Sequence, residues 1–190
     1  MRASKLFLAW SVWTGICGLV AFSQPQSPAR SQAGPATRAS AQTSQPQIVA
    51  NLLQLMRGTL FPASNVIFAA QNLNPADVTP AKDPSLATDP LANTYGKWQA
   101  VENAALAIGE TANLLIIPGR KCSRGIDVPL KNPDWATFVQ GLRDAALITY
   151  KAAQSKDQDK ITDASGTLSE ACANCHERYR EKANLADRCK

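Results

Sequence analysis

Cys172-Ala173-Asn174-Cys175-His176 sets two thiols three residues apart with an imidazole directly after the second. Two thiols at that spacing can add across the two vinyl groups of one haem, and the histidine that follows is then held under the iron as an axial ligand. His176 is the only histidine in 190 residues, so any chemistry that needs imidazole belongs to this spot. A Cys-x-x-Cys pair alone would equally fit zinc or thiol redox chemistry. Zinc asks for four ligands, and the chain has no second cysteine pair at matching spacing. A thioredoxin-like pair asks for a βαβ context, which this sequence lacks.

The ends of the chain indicate the compartment. Arg2 and Lys5 precede an apolar run from Leu6 to Phe22, and Ala21-Phe22-Ser23 offers small residues at the positions a signal peptidase inspects. The expectation is an export signal over residues 1–23, cleaved after Ser23, and a periplasmic location. An uncleaved anchor is the alternative, at the short limit for a bilayer span and diluted by Ser11, Thr14, Gly15 and Gly18. A lipoprotein start at Cys17 fits less well, because bulky Ile16 precedes it. Residues 24–46 are rich in Gln, Ser, Ala, Pro and Thr, too poor in apolar side chains to offset their ordering entropy, and read as a flexible leader. Residues 47–190 are long enough for one core. The net charge of +5 misleads, since Arg2, Lys5, Arg30 and Arg38 lie in signal and leader and leave the domain close to balanced. Nothing in that charge argues for nucleic acid or an anionic membrane surface.

Three apolar stripes imply the elements that carry the motif. Trp98, Val101, Ala105, Ile108, Ala112 and Leu115 recur at steps of three and four, as do Trp135, Phe138, Leu142, Ala145, Thr149 and Ala152. The last stripe is Ile161, Ser165, Leu168, Cys172, Cys175 and Tyr179. Each set lies on one face of an α-helix, and the rhythm suits near-antiparallel packing. Asn132-Pro133 reads as a cap and first-turn proline, Pro118-Gly119 closes the helix before it, and Asp157–Lys160 is a short polar connection. A less regular first helix over Ile48–Phe61 places Leu52, Leu55, Met56 and Thr59 on one face. Pro62 predicts a kink or break, with Ala63–Ala70 continuing as a second helical piece. Residues 72–93 and 119–130 read as loops, and no strand is expected. The fold class is therefore all-α, an antiparallel four-helix bundle with long loops after its first two helices. Cys172, Cys175 and His176 fall at i, i+3 and i+4 on the apolar face of the last helix, so an attached macrocycle would enter the core.

A four-helix domain whose only Cys-x-x-Cys-His stands near the C-terminus, followed by Glu177-Arg178-Tyr179-Arg180, resembles the cytochrome c prime family. The likeness covers Trp135–Lys182 well and is topological for the first two helices, whose loops are longer than usual there. It implies a bacterial periplasmic protein with one covalent haem c, often dimeric, that transfers electrons or binds nitric oxide and carbon monoxide. It also implies His176 as proximal ligand and Arg180 beside a haem propionate. A solvated helix-end charge is the plain alternative for Arg180.

The other iron face has two candidate states. Met56, the only methionine besides Met1, would supply a sixth ligand, raise the potential and favour electron transfer with a redox partner protein. If Leu52, Leu53 or Leu55 faces the iron, the site is five-coordinate and open to a small gas. A methionine on an apolar helix face is also ordinary core filler. A haem enzyme such as a peroxidase would need a polar acid–base group that no histidine remains to provide. A haem-free module with reduced thiols is the remaining class. Trp98 and Trp135 read as core residues with haem contact as the sharper alternative. Arg57 reads as a solvent-facing charge that could meet a propionate, and Lys121 and Arg124 as loop charges that could dock an acidic partner. Cys122 and Cys189 remain as an even pair in a compartment where disulfides persist, and their bridge would tie the C-terminus to a mid-chain loop. Two unrelated thiols are the alternative.

Overall fold

The computed structural model describes residues 46–190, so the expected signal peptide and leader lie outside the described residues. The described residues form one compact unit. Among the described residues the protein is all-α, with four main helical segments and no strand; one isolated antiparallel bridge joins Lys121 and Asp127. No described helix is long and apolar enough to cross a membrane.

The first helical segment starts at Asn51, whose side chain accepts from the Gln54 N–H while the Gln54 side chain accepts from the Asn51 N–H, a complete capping box. The segment runs through α1 (Leu52–Leu55), a π-helical turn (Met56–Leu60) and α2 (Phe61–Asn72). It begins later than the expected Ile48, and Pro62 causes no break. Proline at 62 has no N–H to give the Gly58 carbonyl and would crowd it in a regular α-helix. The chain widens by one residue just upstream instead, so that the Phe61 N–H reaches the Met56 carbonyl. Pro62 then sits in the first turn of α2, where its missing donor costs nothing.

Residues 73–97 form the first long loop. It holds three short 3-10 turns, Pro75–Asp77, Pro84–Leu86 and Pro90–Ala92, each preceded by an Asn or Asp whose side chain accepts from a backbone N–H two residues on. Helix α3 (Trp98–Leu114) ends one residue before Leu115, the last member of its stripe. The second loop is held by the Cys122 N–H to the Ile126 carbonyl (2.8 Å), with Gly125 in the left-handed region at φ 82°. Arg120 is buried within it, its guanidinium donating to the carbonyls of Leu114 and Ala50.

Helix α4 (Pro133–Ser155) has Asn132 at its N-cap, but the expected side-chain cap is absent: Asn132 Nδ2 donates to the Tyr179 hydroxyl at 3.3 Å instead. The link to α5 (Gln158–Tyr179) is shorter than expected. It consists of Lys156, in the left-handed region at φ 54°, and Asp157, which accepts from the N–H groups of Asp159 and Lys160.

All three predicted stripes point inward. Val101, Ala112, Thr149, Ile161, Ser165 and Leu168 are fully buried, and Trp98, Trp135 and Tyr179 nearly so. Each segment packs on two neighbours in a closed ring, α2 on α3, α3 on α4, α4 on α5 and α5 on α2. Both α3 and α4 bury small residues. Ala104, Ala105, Ala112, Ala145, Ala146, Ala152 and Ala153 are all buried, and a Cβ placed on Gly109 would lie 3.5 Å from that of Ala146. Trp135, Phe138 and Leu142 of α4 line the cavity described next.

Candidate haem-attachment site

Cys172, Cys175 and His176 all lie within the last two turns of α5, half-buried, where the three- and four-residue spacing keeps them on one face. The helix ends there, as the N–H groups of Arg180 and Glu181 both reach the His176 carbonyl (2.7 and 2.8 Å). Two aromatic contacts fix this end of α5 to the start of α4. The Tyr179 ring stands edge-on to Trp135 at 4.9 Å and to Phe138 at 6.2 Å. Its hydroxyl donates to Asp134, and Arg178 Nε donates to the other Asp134 oxygen at 2.9 Å. The stripe of α5 puts Tyr179 in the core, whereas its partnership with Asp134 and Arg178 depends on how α4 and α5 meet and leaves no mark on the sequence.

The two thiols and the imidazole border a cavity of about 810 Å³. That volume falls within the roughly 300–1,000 Å³ of small-molecule and cofactor sites. Its walls are mainly apolar. Trp135, Phe138 and Leu142 come from α4, Ile108 and Leu115 from α3 and beyond its end, and Leu53, Met56, Leu60 and Phe61 from the first segment. Met56 and Leu60 are the two ends of the π turn, so the widened turn helps set which side chains face the space. Leu55 is instead buried in the core, and neither it nor Leu52 lines the cavity. Trp98 is core only, whereas Trp135 is both core and wall.

Charged side chains reach the cavity from exposed positions: Arg57, Glu177, Arg180, Glu181 and Arg188. Arg180 is engaged by Glu181, its Nε 2.6 Å from the carboxylate. Arg188 carried no signal in the sequence, since nothing in its spacing brings residue 188 back to residue 176. Lys121 pairs with Asp127 at 2.6 Å in the second loop, and neither it nor Arg124 lines this space.

The electrostatics favour neutral forms of all three motif side chains. Burial pushes both thiols up, Cys175 to about 11 with the neighbouring Cys172 and Asp134 adding to the effect. A redox-active cysteine works as a thiolate of depressed pKa, so these are poor redox thiols. Burial, and then the Arg180 charge, hold His176 below its ordinary value, which keeps the imidazole in the neutral form that binds a metal. Among the described residues no three His, Cys, Asp or Glu side chains converge as they would around a single ion.

The residues present suit a haem. Thiols and a neutral imidazole share the cavity with a soft thioether and leucines, and exposed guanidinium groups on its lining could pair with carboxylates. Leu53 and Phe61, 39% and 62% exposed, are apolar surface that such a macrocycle would cover. No protein-family model, curated protein or solved structure matches this chain. The case for the site rests on its own chemistry.

Proposed function

We propose that this chain is a periplasmic monohaem c-type cytochrome that transfers electrons, built as an antiparallel four-helix bundle around one covalently attached haem c. The observation that carries the reading is that Cys172, Cys175 and His176 border an apolar cavity of about 810 Å³ which Met56 also lines. The antiparallel arrangement is supported by the cavity walls, which draw on the start of α4 and the end of α5. The two-residue link between those helices supports it too.

Cys172 and Cys175 would hold the macrocycle by thioether bonds, and His176 and Met56, which line the same cavity, would serve as iron ligands. When bound, haem supplies a one-electron couple at its iron. Trp135, Phe138 and Leu142 would exclude water from that couple, and the Arg180 and Arg57 guanidinium groups at the rim would balance negative charge on the group. A protein partner delivers or takes the electron. Membership of the cytochrome c prime family and a homodimeric state belong to the same proposal.

A second reading is a five-coordinate protein that binds nitric oxide or carbon monoxide. It is favoured by Leu53 and Leu60, which line the cavity beside Met56. Ferric and ferrous absorption spectra, with and without carbon monoxide, separate the two in native protein and Met56→Ala. The electron-transfer reading predicts a low-spin ferric spectrum that turns high-spin on substitution, with carbon monoxide binding gained. A native protein that binds carbon monoxide readily, with no effect of the substitution, would establish the gas-binding reading instead.

A further inference from the structure

The chain beyond α5 is fixed at three points. The Cys189 N–H donates to the Tyr179 carbonyl (2.8 Å), Arg178 Nη1 donates to the Lys190 carbonyl (3.0 Å), and Cys189 is bonded to Cys122 with their Cα atoms 6.6 Å apart. Cys189 is held at φ 67°, a left-handed conformation that a non-glycine residue keeps only where its surroundings impose it. The other end of the bridge is braced as well, by the Val128 N–H to the Arg120 carbonyl (3.0 Å) and by the Lys121–Asp127 ion pair.

Arg180 and Glu181 reach the cavity from the end of α5, and this fastening brings Arg188 back to it. Arg180 and Glu181 satisfy each other, whereas Arg188 has no ion-pair partner among the described residues. A guanidinium free to form two parallel hydrogen bonds is suited to a carboxylate on an otherwise apolar occupant.

We infer that residues 180–190 are a disulfide-locked strap that presents Arg188 as an anchor for a carboxylate of the cavity's occupant. The state of the Cys122–Cys189 bond then governs that charge. The inference rests on the haem reading, in which the carboxylate is a propionate. The chemical step is thiol–disulfide exchange with a dithiol reductant. The dithiol gives two electrons and two protons, becomes a disulfide, and leaves Cys122 and Cys189 as thiols. Thioethers at Cys172 and Cys175 would not react. Withdrawing a positive charge from the haem edge favours ferric over ferrous iron, so reduction of the bridge lowers the midpoint potential.

The test is the midpoint potential of the holoprotein as native, Arg188→Gln and Arg188→Lys, each with the bridge intact and after treatment with excess dithiothreitol. Amide exchange over residues 180–190 is followed in parallel. The expected results are a lower potential in Arg188→Gln, a near-native one in Arg188→Lys, and a fall on dithiol treatment in native protein but not in Arg188→Gln. Strap amides should exchange about tenfold faster after reduction, equivalent to ~1.4 kcal/mol of protection. An unchanged potential in Arg188→Gln, a dithiol effect that persists undiminished in that variant, or unchanged exchange would overturn the inference. A protein isolated without haem would sink the haem reading separately. The same variants titrated with protoporphyrin IX and its dimethyl ester then decide the anchor: weaker binding of the diacid alone supports it, and equal binding refutes it.

Discussion

At the scale of single residues, Tyr179 and Asp134 decide how firmly the end of α5 is held. The Tyr179 hydroxyl, and then Arg178, hold the Asp134 carboxyl below the usual carboxylate range. A carboxyl depressed in the folded state stabilises that state above its unfolded pKa of about 3.9, and the contribution is lost as pH falls through the lower folded value. Acid titration followed by near-UV circular dichroism should therefore show native protein losing tertiary signal below about pH 4. Asp134→Asn should weaken that dependence while lowering stability at neutral pH. An acid midpoint identical in the variant would remove Asp134 from the account. Met56 is the other decisive residue. Its position at the start of the π turn puts the only methionine of the described residues on the cavity that His176 also lines.

The helices themselves were largely legible from spacing, and the exceptions share a cause. The stripes of α3, α4 and α5 repeat over four turns or more, so tertiary packing and local period agree. In the first segment Pro62 signals a kink or break followed by more helix; the helix does continue, and a π turn upstream absorbs the lost hydrogen bond without ending it. Asn132 was read as a side-chain cap and instead bonds a tyrosine 47 residues away. Asn74-Pro75, Asp83-Pro84 and Asp89-Pro90 were a readable signal for short capped turns, masked by treating proline only as a loop former. The turn between α4 and α5 carries its own prediction. Lys156 occupies a left-handed conformation that favours glycine, so Lys156→Gly should raise unfolding free energy by about 1 kcal/mol. Urea denaturation would measure it, and a destabilised variant would show that the turn geometry is misjudged.

For the whole molecule, the disulfide and the cavity set the terms. The Cys122–Cys189 bond spans 67 residues, a closure that in the chain-entropy model stabilises the folded state by about 4 kcal/mol. The double variant Cys122→Ser with Cys189→Ser should lose about 2–4 kcal/mol in urea denaturation. No loss would mean that the bond constrains little. Half of the site was readable because Cys172, Cys175 and His176 are neighbours along one helix face. The other half was readable only in part: Met56 and Arg57 were named from residue type, whereas Arg188 reaches the cavity through a cross-link whose partner distances no spacing rule provides.

Whether haem is bound covalently through Cys172 and Cys175 separates a c-type cytochrome from a haem-free helical domain. The protein, produced in cells that mature c-type cytochromes, would be acid-denatured and its haem extracted into organic solvent, with absorbance and intact mass followed. The account predicts that haem absorbance and the mass of one haem stay with native protein, and that Cys172→Ala with Cys175→Ala retains neither. Haem that extracts fully from native protein, or stays covalently bound in the double variant, would contradict it.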